Sequence, residues 1–241
     1  MSFADSAGTP TNPVVETYQR IWPMLALLSA RKQVLVYVAF VRRFASLFTD
    51  DACHQLITAA EQVADGELEL RALTTQKNEC LKRLHANPAE LPNRMADYAA
   101  CELGFYATHR SRELSGLARR DRLRTAAGDM LLTMLYWHQF ICPVHPEQRD
   151  EWLDTEVQAF LEVGRDVGDV AAVRLDPRWV SDDVARLATV AYDSRDFSRL
   201  PEIADALDDA GCGQPDILAH CRGPGPHVRG CWVVDLVLGK A

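Results

Sequence analysis

Arg31-Lys-Gln-Val34-Leu-Val-Tyr-Val38-Ala-Phe-Val41-Arg42-Arg43-Phe44-Ala-Ser-Leu47-Phe48 is the stretch on which the fold class turns. Its centre, Val34-Leu-Val-Tyr-Val38, is β-branched and aromatic and suits a buried strand. Periodicity decides against that. Val34, Val38 and Val41, then Phe44, Leu47 and Phe48, recur at three- and four-residue intervals, the stripe of a 3.6-residue helix. No glycine, proline or asparagine punctuates the run, so the pattern predicts one helix from Arg31 to Phe48.

Helical signals continue on both sides. Val14 to Ser29 carries Ile21, Leu25 and Leu28, with Pro23 as a kink or break. Thr49-Asp50-Asp51 supplies an N-cap for a helix reaching Asp65-Gly66. Leu68 to His85 is a more polar helix stopped by Asn87-Pro88, and an alanine-rich helix runs from Asn93 through Tyr106. Arg110 to Ile141 is a long helical stretch closed by Pro143 and Pro146. It ends in the aromatic run Tyr136-Trp137-His138-Gln139-Phe140, which reads as a helix end packed in a core. His145 to Val163 is amphipathic, with Trp152, Val157, Phe160 and Leu161 on its apolar face.

Gly164 to Pro177 lacks helical periodicity and marks a boundary. Beyond it come Ser181 to Tyr192, Pro201 to Ala210 closed by Gly211, Pro215 to Cys221, and a last element from His227 or Gly230 to Leu238. Val233, Val234, Leu236 and Val237 also suit a short strand, but such a strand has nothing to pair with. The expectation is an all-α protein: a mobile tail over 1–12, a helical bundle over 13–168 and a small C-terminal helical module over 169–241.

The chain has 241 residues, 48% hydrophobic and 25% charged, enough apolar material for a real core. A net charge of -8 leaves no positive field for non-specific nucleic-acid binding. The one basic stretch, Arg110 to Arg124, is interrupted by Glu113 and Asp121. It has no aromatic side chain for base stacking, and it reads as a solvated helix face. Seven scattered cysteines, and no basic or apolar leader before Pro13, point to a reducing cytoplasm with buried thiols. No apolar run has the length of a membrane span.

Chemistry-bearing residues gather near the end: Cys212, His220-Cys221-Arg222-Gly-Pro-Gly-Pro-His227-Val-Arg229-Gly-Cys231-Trp232. Cys212, Cys221, His227 and Cys231 have the types and arithmetic of a zinc knuckle, with the Gly-Pro-Gly-Pro turn bringing its halves together. The same cysteines also suit small core positions beside Trp232. Arg222, His227 and Arg229 around that turn suit an anion. The arginines equally suit pairing with Asp205, Asp208 or Asp209. Cys221, His227 and Asp235 have the types of a thiol nucleophile set, but a helix C-terminus has the wrong polarity for a thiolate at Cys221. No phosphate-cradling glycine loop and no His-Glu-x-x-His is present.

Arg199-Leu-Pro-Glu-Ile-Ala-Asp-Ala-Leu-Asp-Asp-Ala-Gly-Cys212 and Asp216-Ile-Leu-Ala-His-Cys-Arg-Gly-Pro-Gly-Pro-His-Val-Arg-Gly-Cys-Trp-Val-Val-Asp-Leu-Val-Leu-Gly-Lys240 resemble the C-terminal module of a large family of uncharacterised planctomycete bacterial proteins. Pro23-Met-Leu, Arg31-Lys through Arg42-Arg43, Leu47-Phe-Thr-Asp, Ala60-Glu and Ala64-Asp-Gly66 are similar to the opening of the same proteins, and Leu175-Asp-Pro-Arg-Trp179 and Leu187-Ala through Ala191-Tyr-Asp193 also fit. Residues 67–169 are unmatched, and the Asn-Pro-Phe-Arg-Pro-like segment expected before Leu175 is missing. The resemblance implies a helical, cytoplasmic, bacterial protein and supplies no catalytic residues. The expectation is therefore a non-enzymatic helical protein, without cofactor, that binds another protein. The alternatives are a zinc-stabilised module in contact with nucleic acid and an enzyme of unknown reaction.

Overall fold

A computed structural model of the chain describes residues 13–86, 97, 100, 101, 103, 104, 107, 146–168 and 173–240. The expected tail over 1–12, the helix over 110–141 with its arginines, and the aromatic run at Tyr136 lie outside the described residues. Only part of the alanine-rich helix falls within them. Among the described residues the fold is all-α, with no strand. Nine helices with defined bounds follow in order among the described residues: α1 (Pro13–Leu25), α2 (Ala30–Arg42), α3 (Asp51–Ala64), α4 (Leu70–His85), α5 (Arg149–Val167), α6 (Asp182–Ser194), α7 (Leu200–Asp209), α8 (Pro215–Arg222) and α9 (Trp232–Leu238). Asp97, Ala100, Cys101, Leu103, Gly104 and Ala107 are helical as well.

The decisive stretch is helical but shorter than its stripe suggests. Ser29 caps α2, its hydroxyl accepting the Lys32 N–H at 3.3 Å. At the other end the ladder tightens, with Arg43 N–H bonded to the Phe40 carbonyl and Phe44 N–H to that of Val41. Tertiary pairs hold this exit. Arg42 reaches Glu61 at 2.8 Å and Arg43 reaches Glu156 at 3.2 Å, while Phe44 packs edge-on against Phe40 and Trp152. A single 3₁₀ turn, Ala45–Leu47, then carries the chain to Asp50, whose carboxylate caps α3 by accepting the Ala52 N–H at 2.9 Å.

Two further sequence expectations are corrected. The helix ending at Val163 runs on to Val167, because Val163 and Val167 are buried with Phe160 against α1 and α2. Gly164 permits this close approach: a Cβ there would lie 2.3 Å from the Met24 methyl. The last element, expected from His227 or Gly230, is helical as the all-α reading has it but begins only at Trp232, as α9, and is ended by Gly239 in the left-handed region at φ +64°.

The core forms two apolar clusters. One joins α1 to α5 around Ile21, Leu35, Leu56, Leu73 and Phe160; Val228, from the loop before α9, packs against it. The other joins α6 to α9 around Val184, Leu200, Ile203, Ile217 and Val234. A buried ionic lattice connects them. Arg31 places Nη1 2.6 Å and Nη2 3.1 Å from the two Asp235 oxygens, and its Nε donates to Asp65 at 2.9 Å. Asp65, whose side chain is wholly buried, also accepts from the Tyr192 hydroxyl and from Arg229 Nε, both at 2.8 Å. Arg229 lies over the Tyr192 ring, 4.4 Å from its centre.

Candidate metal centre

The C-terminal turn of α5, α8 and the loop before α9 converge on one buried point. Asp166 Oδ1 lies 2.7 Å from His227 Nδ1 and 3.1 Å from His220 Nε2, and His220 Nε2 lies 3.2 Å from Cys231 Sγ. The donor atoms of Asp166, His220, His227 and Cys231 all lie within 4.8 Å of one another. Asp166 and Cys231 are buried, and the two histidines are partly so.

Local folding sets each side chain. Asp166 sits in the last turn of α5, where the helix dipole opposes a carboxylate, so it depends on the donors around it. Its Oδ2 accepts the Val228 N–H at 2.9 Å. Next to it, the buried Lys32 ammonium caps the same helix end by donating to the Val167 carbonyl at 2.9 Å. On α8, Ile217 and Cys221 form the buried stripe, four residues apart, which turns His220 aside toward the loop. The Gly223-Pro-Gly-Pro226 turn then returns the chain so that His227 meets Asp166. Cys231 directly precedes α9, its N–H bonded to the Val228 carbonyl at 2.9 Å.

The proton inventory follows from the partners. Trp232 Nε1–H can only donate, and it points at His220 Nδ1 at 3.0 Å. A neutral His220 therefore carries its proton on Nε2, facing Asp166 and Cys231. Both nitrogens of His227 face acceptors, Asp166 and, at 3.3 Å, the Gly223 carbonyl. Burial opposes a charge on His227, but Asp166 and that carbonyl together raise its pKa above the ordinary value. Burial likewise pushes Asp166 up, and the bonds from His220, His227 and Val228 N–H overcome it, holding the carboxyl below its ordinary value. The Cys231 thiol is pushed well up, chiefly by burial.

These four side chains fit zinc in type and approximately in position. Tetrahedral zinc with N and S ligands sets N···S contacts at ~3.6 Å and N···O contacts at ~3.3 Å. The Asp166–His227, Asp166–His220 and His220–Cys231 pairs are closer by roughly 0.2 to 0.6 Å, so an ion would spread these three contacts. One bond is in the way: ligation through His220 Nε2 needs the proton on Nδ1, where Trp232 now donates.

Of the four ligands expected from spacing, His227 and Cys231 are in the cluster. Cys212 and Cys221 are instead buried in the second apolar core, and burial pushes the Cys221 thiol up to about 12. His220 and Asp166 take their places. The three residues expected around an anion diverge. Arg222 is exposed and pairs with Asp205 at 2.9 Å and Asp208 at 3.1 Å, His227 turns to Asp166, and Arg229 is buried against Asp65 and Glu67. Asp235, the third member of the thiol nucleophile set, pairs with Arg31. Among the described residues no helix is long and apolar enough to cross a membrane. Comparison with models of protein families, with curated proteins and with solved structures finds no match to this chain.

Proposed function

We propose that this chain is a non-enzymatic helical binding protein, with another protein as its partner, whose C-terminal module is fastened to the N-terminal helices by a zinc ion held by Asp166, His220, His227 and Cys231. The convergence of these four donors within 4.8 Å carries the zinc part of this proposal, while the binding role extends the expectation drawn from the sequence. Two imidazoles, a thiol and a carboxylate suit zinc better than calcium or magnesium, which take all-oxygen sets. Four protein ligands complete a tetrahedron and leave no position for a substrate, which favours a structural role over catalysis. The Gly223 carbonyl supports it further, accepting from His227 Nε2 so that Nδ1 is directed at the ion.

The test is metal analysis of protein purified without added metal, followed by cobalt(II) titration. The expectation is about one zinc per chain, a melting temperature lowered by chelator, and a sulfur-to-cobalt charge-transfer band that disappears in Cys231→Ser but persists in Cys212→Ser. A metal-free protein with a chelator-insensitive melt and no cobalt spectrum would refute the zinc reading. The binding role is tested separately, by whether the loaded protein forms a defined complex with one partner that survives a second purification step.

A further inference from the structure

Away from the metal centre, three buried cysteine side chains meet in the N-terminal core. Cys53 comes from α3, Cys80 from α4, and Cys101 from the helical residues that follow. The Cys80 sulfur is central: Cys101 Sγ lies 2.9 Å from it and Cys53 Sγ 3.5 Å. Two sulfurs 2.9 Å apart are too close to flank a zinc-like ion, which separates thiolates by ~3.7 Å. They are about 0.9 Å farther apart than bonded sulfurs, so a small side-chain movement would join them. We propose that Cys80 and Cys101 are a reversible oxidation site that forms a disulfide when the protein meets a hydroperoxide, with Cys53 as the exchange thiol.

The Cys80 thiolate attacks the outer peroxide oxygen, the O–O bond breaks, and water or an alcohol leaves with the second oxygen. The Cys80 sulfenic acid formed is then attacked by the Cys101 sulfur; the S–S bond forms and water departs. Two electrons pass from the two sulfurs to the peroxide. Cys80 is assigned as the nucleophile because it is the central sulfur, with Cys101 Sγ at 2.9 Å on one side and Cys53 Sγ at 3.5 Å on the other. Cys53, touching Cys80 from the other side, is among the described residues the one further thiol within reach of the Cys80 sulfur of the new disulfide; its contact with Cys80, burial and Asp97 push its own thiol up, so its exchange, which would return Cys101 to the thiol form, is slow.

The test treats the folded, full-length protein with hydrogen peroxide, quenches in acid, alkylates remaining thiols and maps the peptides by mass spectrometry. The expected product is about 2 Da lighter before alkylation and yields one peptide joining Cys80 to Cys101, reversed by a dithiol reductant. Cys101→Ala should move the bond to Cys53–Cys80, and Cys53→Ala should leave the original bond. A disulfide that appears only after unfolding in urea, a bond between other cysteines, or Cys80 carried to the sulfinic acid without any disulfide would each overturn the proposal. The wild-type map decides it even where a variant folds poorly.

Discussion

Raising the pH should act on the metal-free and the zinc-loaded protein with opposite sign. In the metal-free state His227 holds its proton more tightly than in the unfolded chain, because Asp166 faces it at 2.7 Å. Its contribution to stability is therefore complete below the ordinary histidine value of 6.5 and is lost as pH rises through the raised folded value. Asp166, held below its ordinary 3.8, contributes fully above that value, and its contribution is lost only as pH falls through the lowered one. Zinc reverses the dependence near neutrality, since its ligands must give up protons. His227 loses the one on Nδ1 and keeps Nε2–H on the Gly223 carbonyl, and Cys231 loses its thiol proton. A neutral His220 only moves its proton from Nε2 to Nδ1. Two protons are thus released per ion where His227 is protonated and His220 neutral, and zinc Kd should fall about 100-fold per pH unit there. Beyond that titration only the Cys231 proton remains to be released, and the slope should relax to about tenfold. Competition against a chromophoric chelator at a series of pH values reads the slope directly. A pH-independent Kd would refute the proton inventory, as would an unchanged slope in Cys231→Ser.

Two other perturbations test the surrounding structure. Trp232→Phe removes the N–H that occupies His220 Nδ1, so it should destabilise the metal-free protein by about 1 kcal/mol and tighten zinc binding several-fold; weaker binding would mean that the indole supports the loaded state. Asp65→Asn strips the charge from a wholly buried carboxylate that receives Arg31, Tyr192 and Arg229, and should cost about 3–5 kcal/mol in urea unfolding, whereas Asp205→Asn, on the exposed pair with Arg222, should change nothing measurable. Equal effects of the two substitutions would contradict the role given to the buried lattice.

The helical character of the chain was legible in periodicity, and caps such as Asp50 and Ser181 were legible in residue type. The end of α2 was not. The apolar stripe continues past Arg42, and the turn there is held by Glu61 and Glu156, 19 and 113 residues away in sequence. At the site, His227 and Cys231 were legible in residue type and spacing beside the Gly-Pro-Gly-Pro turn, and both lie in the loop that precedes α9. His220 was missed in favour of its neighbour Cys221, although the Ile217–Cys221 stripe already implied that Cys221 faces the core. Asp166 carried no local signal. Gly164 reads as a break, and only the packing of Met24 against it makes clear why the helix continues and where its last carboxylate points.

The position of Asp166 also changes what the centre is. A knuckle confined to residues 212–231 would belong to the C-terminal module alone. Asp166 instead comes from α5, whose apolar face lies in the N-terminal core with Phe160 and Val167. The segment from His227 to Asp235 serves both sides. His227, Val228 N–H and Cys231 face Asp166, while Arg229 and Asp235 face Asp65 and Arg31. Lys32 lies where the two networks meet, donating to the Val167 carbonyl and sitting 3.8 Å from Asp235. Neither network can be pulled apart without disturbing a segment that the other also holds. An ion at Asp166 would therefore fasten the two apolar cores to each other rather than tie up a small independent finger. Loss of the ion would loosen the seam between them before it loosened either core.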